Sequence, residues 1–121
     1  MNVLVAVLVA STSLNITFWP EGPGMPGKVT HTLRCGPTGG TLPHPAAACA
    51  KLARMPRPFA PTPKGTACTE LYGGPQEALI TGRLRGHAVR ARFNRRDGCE
   101  TGRWNRVAFL FPGAVSAANG G

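Results

Sequence analysis

The sequence predicts an α+β domain, an antiparallel sheet of about five strands with a helix after the second. Three observations lead there. Apolar and polar residues alternate with strand period in several short stretches. One alanine-rich run, opened and closed by proline, has helical character. Gly 16 and Pro 12 in 121 residues put much of the chain into turns and loops.

The first strand is read from Leu14, Ile16 and Phe18, which alternate with Asn15 and Thr17. Trp19-Pro20-Glu21-Gly22-Pro23-Gly24 breaks it. Val29, His31 and Leu33 form a second alternation that ends at Cys35, and a turn-rich loop follows over 36–43. A helix is read from His44-Pro45 through Met55: alanines are strong helix formers, Pro45 suits the first turn and Pro56 stops it. Ala48, Cys49, Leu52 and Met55 would share its buried face. An irregular stretch spans 56–65, and strands follow over 78–85 and 87–93 around a tight turn at Gly86. In the latter, Val89, Ala91 and Phe93 point one way and Arg90 and Arg92 the other. A last strand is read over 106–111, with Val107, Phe109 and Phe111 inward. There is no internal repeat.

The length fits one domain, and 42% apolar residues is too hydrophobic for a disordered chain. Serine occurs only at 11, 13 and 116 and aspartate only at 97, so a Ser-His-Asp hydrolase would need a nucleophile near a terminus. His31, His44 and His87 have no helical pairing and no carboxylates at ligand spacing, so neither a metal site nor a cofactor is expected. The four cysteines, at 35, 49, 68 and 99, are separated by 14, 19 and 31 residues. Without a C-x-x-C pair, two disulfides are the better reading than zinc or redox chemistry. Counting leaves all three connectivities open; sequential pairing is the simplest, each loop worth roughly 3–4 kcal/mol on the chain-entropy model. Disulfides imply an oxidising compartment and hence secretion.

The apolar run over 2–10, followed by Ser11-Thr12-Ser13, is too short to span a bilayer and resembles the core and cleavage side of a signal peptide. It lacks a positive leading region, a pattern expected when the true start lies upstream of Met1. The expected organisation is a leader remnant over 1–13, a domain over 14–111 and a flexible tail over 112–121.

The formal net charge is +9, and eight arginines fall at 83, 85, 90, 92, 95, 96, 103 and 106. A basic secreted protein that binds nucleic acid or anionic surfaces is therefore the alternative function. Strand alternation by itself places Arg83, Arg85, Arg90 and Arg92 on a solvent face, and only Phe93 and Trp104 are near for base stacking, so specific nucleic-acid binding is not expected. Asn15-Ile16-Thr17 is a glycosylation sequon, meaningful only in a source that glycosylates. The stretch from Cys68 to Pro75 reads as exposed and extended, tethered by a cysteine at one end and a Gly-Gly-Pro turn at the other. Proteases bind substrates in that extended shape, and a segment already held in it loses little entropy on binding. On spacing alone, a simple disulfide-anchored connection between helix and sheet is the favoured reading.

The run Cys35-Gly36-Pro37-Thr38-Gly39-Gly40-Thr41-Leu42-Pro43-His44-Pro45-Ala46-Ala47-Ala48-Cys49-Ala50-Lys51-Leu52 resembles the signature of the Streptomyces subtilisin inhibitor family. Gly65-Thr66-Ala67-Cys68-Thr69-Glu70-Leu71-Tyr72 resembles the family's reactive-site segment, and Val107-Ala108-Phe109-Leu110-Phe111 its closing strand. The resemblance implies a five-stranded antiparallel sheet with two helices, disulfides Cys35–Cys49 and Cys68–Cys99, and a homodimer formed through the sheet. It implies an inhibitor of extracellular serine proteases, subtilisin-like or glutamyl-type, and not an enzyme. The scissile bond would be Glu70–Leu71, in a reactive loop of Cys68, Thr69, Glu70, Leu71 and Tyr72. Leu42 stands where that family usually has His, Gly73-Gly74-Pro75 replaces its Asp-Pro with one residue more, and Glu70 stands where Met, Lys or Arg is common. A carboxylate at that position suits a glutamate-preferring protease and suits a trypsin-type acidic pocket badly.

Overall fold

The computed structural model describes residues 11–113. Most of the expected leader and the tail from 114 onward lie outside the described residues. The elements in order are β1 (Thr12–Trp19), β2 (Val29–Cys35), α1 (Pro45–Ala53), β3 (Glu77–Leu84), β4 (His87–Asn94) and α2 (Gly98–Val107), then a 3-10 turn, Ala108–Leu110. The strands form one sheet in the order β2-β1-β3-β4, every neighbouring pair antiparallel.

Register follows the apolar alternation. Ile16 of β1 sits opposite His31 of β2 and Ile80 of β3, and Ile80 in turn opposite Ala91 of β4. This puts Leu14, Ile16, Phe18, Leu33, Ala78, Ile80, Ala91 and Phe93 on one buried face. Ala48 and Leu52 of α1 and Trp104 and Val107 of α2 join the same core, with Cys49 and Met55 half-buried against it. The opposite face carries Ser13, Asn15, Arg34, Arg83, Arg90 and Arg92, all exposed.

Four strands stand where about five are expected, with two helices. The residues read as a closing strand over 106–111 complete α2 and the turn after it instead. The buried positions are Trp104, Val107, Leu110 and Phe111, while Phe109, expected inward, is only half-buried. The Trp104 and Phe111 rings lie 4.7 Å apart between centroids. Seven residues of strand would separate their backbones by about 23 Å, against about 10 Å for helix, so this contact requires the compact backbone. The pair closes an aromatic cluster with Phe18 and Phe93. The signal for α2 is the run Asp97-Gly98-Cys99-Glu100: Asp97 is the N-cap, and its carboxylate accepts from the Glu100 N–H at 2.8 Å.

Candidate reactive loop

Both disulfides pair in sequence order, Cys35–Cys49 and Cys68–Cys99. The first ties the end of β2 to α1, and the second ties the irregular chain before β3 to the first turn of α2. From Cys68 to Pro75 the chain has no regular secondary structure. Thr69 and Glu70 are exposed, Leu71 is 73% exposed and Tyr72 67%. Two large apolar side chains next to each other thus stand in water.

The segment is nevertheless fixed on both sides of Glu70–Leu71. On one side, Cys68 is bonded to Cys99, and the Thr69 carbonyl accepts from the Gly98 N–H at 2.9 Å. On the other, the Gly73 N–H donates to the Arg95 carbonyl at 2.6 Å. Residues 95–99 thus form a short brace beneath the four exposed ones. The brace is close: a Cβ on Gly98 would run into Thr69 Oγ1. Thr69 through Tyr72 make no backbone hydrogen bond other than that at the Thr69 carbonyl, among the described residues. Their peptide groups are free to pair with an incoming strand.

The helix that continues the brace is anchored by Arg103, 8% exposed. Its guanidinium donates to the carbonyls of Ala60 at 2.9 Å and Arg92 at 3.1 Å, pairs with Glu100 at 2.9 Å, and lies over the Phe93 ring. Glu100 also accepts from the Thr62 hydroxyl at 3.0 Å. One buried cation therefore joins the chain leading into the loop, β4 and α2. The sequence offers Arg103 only as one of eight arginines and does not reveal this role; its i,i+3 spacing from Glu100 was the available signal.

Electrostatically, Glu70 and the exposed Glu21 differ from the other three carboxylates. Glu77 pairs with Arg96 at 3.1 Å, Glu100 pairs with Arg103 and Asp97 caps α2. Glu70 has no ion-pair or hydrogen-bond partner among the described residues, so a free carboxylate stands at the loop's exposed crest. The other residues singled out from the sequence lie elsewhere. His31 is half-buried on β2 beside Thr41, His44 is the left-handed residue that opens α1, and His87 is exposed. Cys68, Asp97 and Cys99 converge, but both sulfurs are in the disulfide. Leu42 is buried in the core. Arg85 ends α1, donating to the carbonyls of Leu52, Met55 and Pro56, rather than facing solvent on a strand. Phe93 and Trp104 are 1% and 2% exposed, which removes them as bases' stacking partners.

The family model described as subtilisin inhibitor-like matches residues 10–95. The chain belongs to that family. Members are protease inhibitors, not enzymes, and this subtilisin inhibitor-like chain is an inhibitor of serine proteases. Among solved structures it is similar to Streptomyces caespitosus sermetstatin, crystallised in complex with Bacillus licheniformis subtilisin. The identity is 22%, the match covers 84% of this chain and 98% of that one, and the TM-score is 0.53. A comparison with curated proteins returns no match. The family match ends at residue 95, before Cys99 and α2, so the brace under the loop lies largely beyond it.

Proposed function

We propose that this inhibitor acts by offering Thr69, Glu70, Leu71 and Tyr72 to a serine protease as substrate, with Glu70–Leu71 the bond attacked. The observation that supports the reading is the pair of fastenings around that bond: Cys68–Cys99 and the Thr69 carbonyl on one side, the Gly73 N–H on the other. A protease strand pairs with the free peptide groups of the crest, and Glu70 enters the enzyme's primary pocket. The fixed shape removes most of the ordering cost of binding. It also keeps the two ends of a cut bond together, so resealing competes with hydrolysis. Interfaces of this kind bury about 800 Å² per partner.

The partner is an extracellular serine protease, subtilisin-like or glutamyl-type. A free carboxylate gains from a cationic or hydrogen-bonding pocket and loses several kcal/mol against a like charge. Secretion is part of the proposal and draws on the two disulfides, which persist in oxidising compartments. A homodimer through the uncovered sheet face is proposed too, that face having no helix over it. Sedimentation at micromolar concentration tests it, and a monomer would remove the dimer without touching the inhibitor mechanism.

The deciding experiment titrates the chain against subtilisin-, trypsin- and glutamyl-type enzymes and sequences any slowly cleaved inhibitor. Inhibition with a new N-terminus at Leu71 is the expected result. Inhibition with the cut elsewhere would assign the reactive bond to another segment.

A further inference from the structure

Leu71 and Tyr72 are largely exposed, and the first backbone hydrogen bond on their side of the loop is that of Gly73 to Arg95. The two sides of Glu70–Leu71 are therefore held unequally. The Glu70 side keeps a covalent tie through Cys68–Cys99. The Leu71 side depends on how Gly73 is seated.

That seat is tight for any side chain. A Cβ on Gly73 would stand 2.8 Å from Thr101 Oγ1 and 3.1 Å from both the Cβ and the carbonyl oxygen of Arg95. These are a helix-anchored side chain and a stretch of backbone, neither a flexible end that swings aside. Thr101 Oγ1 is buried and has no hydrogen-bond partner among the described residues, so it meets Gly73 as a packing surface on α2. The adjoining Gly74 has φ 128, a backbone conformation that side chains oppose.

We propose that Gly73, seated against Arg95 and Thr101, is the positioning residue that holds the Leu71 amine for resealing, and so decides whether the chain behaves as inhibitor or as substrate. The proposal rests on the reading of Glu70–Leu71 as the attacked bond. In the forward step the protease serine oxygen adds to the Glu70 carbonyl carbon. The C–N bond to Leu71 breaks, and the nitrogen takes a proton from the enzyme's general acid. The products are an ester of Glu70 on the serine and a free amine on Leu71. Resealing is the reverse: that amine attacks the ester and expels the serine. It succeeds when the amine stays within attacking distance, and Leu71 is only two residues from the Gly73 tether.

The test compares wild type, Gly73→Ala, Thr101→Ala and the double variant against the enzyme that wild type inhibits. It reads the inhibition constant and the equilibrium ratio of cleaved to intact chain, with melting temperature followed alongside. Gly73→Ala is expected to raise both by about tenfold or more, a shift of one decade in equilibrium. The double Gly73→Ala, Thr101→Ala variant is expected to recover part of the loss relative to Gly73→Ala, because the closest obstructing atom is gone, and Thr101→Ala alone serves to separate its own effect in the cycle. Hydrogen exchange on the wild type needs no variant to fold: the Gly73 amide is expected to exchange at least about tenfold more slowly than the Leu71 amide. A Gly73→Ala chain with wild-type constants, or a Gly73 amide as fast as that of Leu71, overturns the proposal. A wild type that inhibits no serine protease overturns the reading beneath it, and the role given to Gly73 with it, whatever the amide shows.

Discussion

Glu70 presents a charge that no cation among the described residues neutralises, on a chain of net charge +9. An isolated anion at the crest of a convex loop interacts mainly with what the enzyme supplies. Glu70→Lys is therefore expected to gain trypsin inhibition and Glu70→Met to improve subtilisin inhibition. Either change alters the constant by orders of magnitude, each 1.4 kcal/mol being about tenfold. Inhibition constants for wild type and both variants on the three enzyme types check this, and equal inhibition by all would remove Glu70 from the site. Arg103 is the opposite kind of residue, a cation that works because it is buried. Arg103→Met leaves Glu100 without its ion pair and the Ala60 and Arg92 carbonyls without a donor. A loss of about 3–5 kcal/mol in denaturant unfolding is expected, since removing one partner strands the others.

At the scale of elements, α2 links core and loop: one end supplies Cys99 and the Gly98 N–H, the other Trp104 and Val107. Asp97→Ala removes its cap and is expected to cost about 1 kcal/mol of stability. The same change frays the turn that holds Thr69, so cleavage of the chain by its target is expected to quicken as well, read by mass spectrometry of the mixture. Helix and strand make opposite forecasts for the closing residues. With the helical backbone, Leu110→Ala costs about 2–5 kcal/mol and Phe109→Ala less, because Leu110 is fully buried and Phe109 lies half out beneath Lys51. A strand would reverse the order, and urea unfolding of the two variants separates them.

For the whole molecule, the sheet and two helices form one core, and the loop is stiff because it is tied to that core at several points. Replacing Cys68 and Cys99 with serine opens a 31-residue loop and is expected to cost roughly 3–4 kcal/mol on the chain-entropy model. The larger consequence is functional: the Glu70 side of a cut bond would lose its covalent tie, and the chain is expected to be consumed as a substrate. The outward arginines make a separate forecast. Changing Arg83, Arg90 and Arg92 together to serine is expected to leave affinity at physiological salt unchanged. It is expected to slow association with an acidic protease at low salt only, because exposed charge acts over about a Debye length. Stopped-flow association at two salt concentrations measures both.

The alternations at Leu14, Ile16 and Phe18 and at Ala91 and Phe93 were legible because strand period is a property of the local backbone. So was α1, between its two prolines. The loop was legible through the run from Gly65 to Tyr72, which resembles a known segment, and cysteine spacing alone left the pairing open. The closing strand was misread because Val107, Phe109 and Phe111 satisfy a period of two, and what decides against it is the contact of Phe111 with Trp104. Arg103 stood in the sequence only as one of eight arginines. A buried cation is stable only where carbonyls and a carboxylate from separate segments converge, and that convergence is made by chain crossings far apart in sequence. Local geometry determined the strands and the first helix; long-range packing decided the second helix, its buried arginine and the glycine seats beneath the loop.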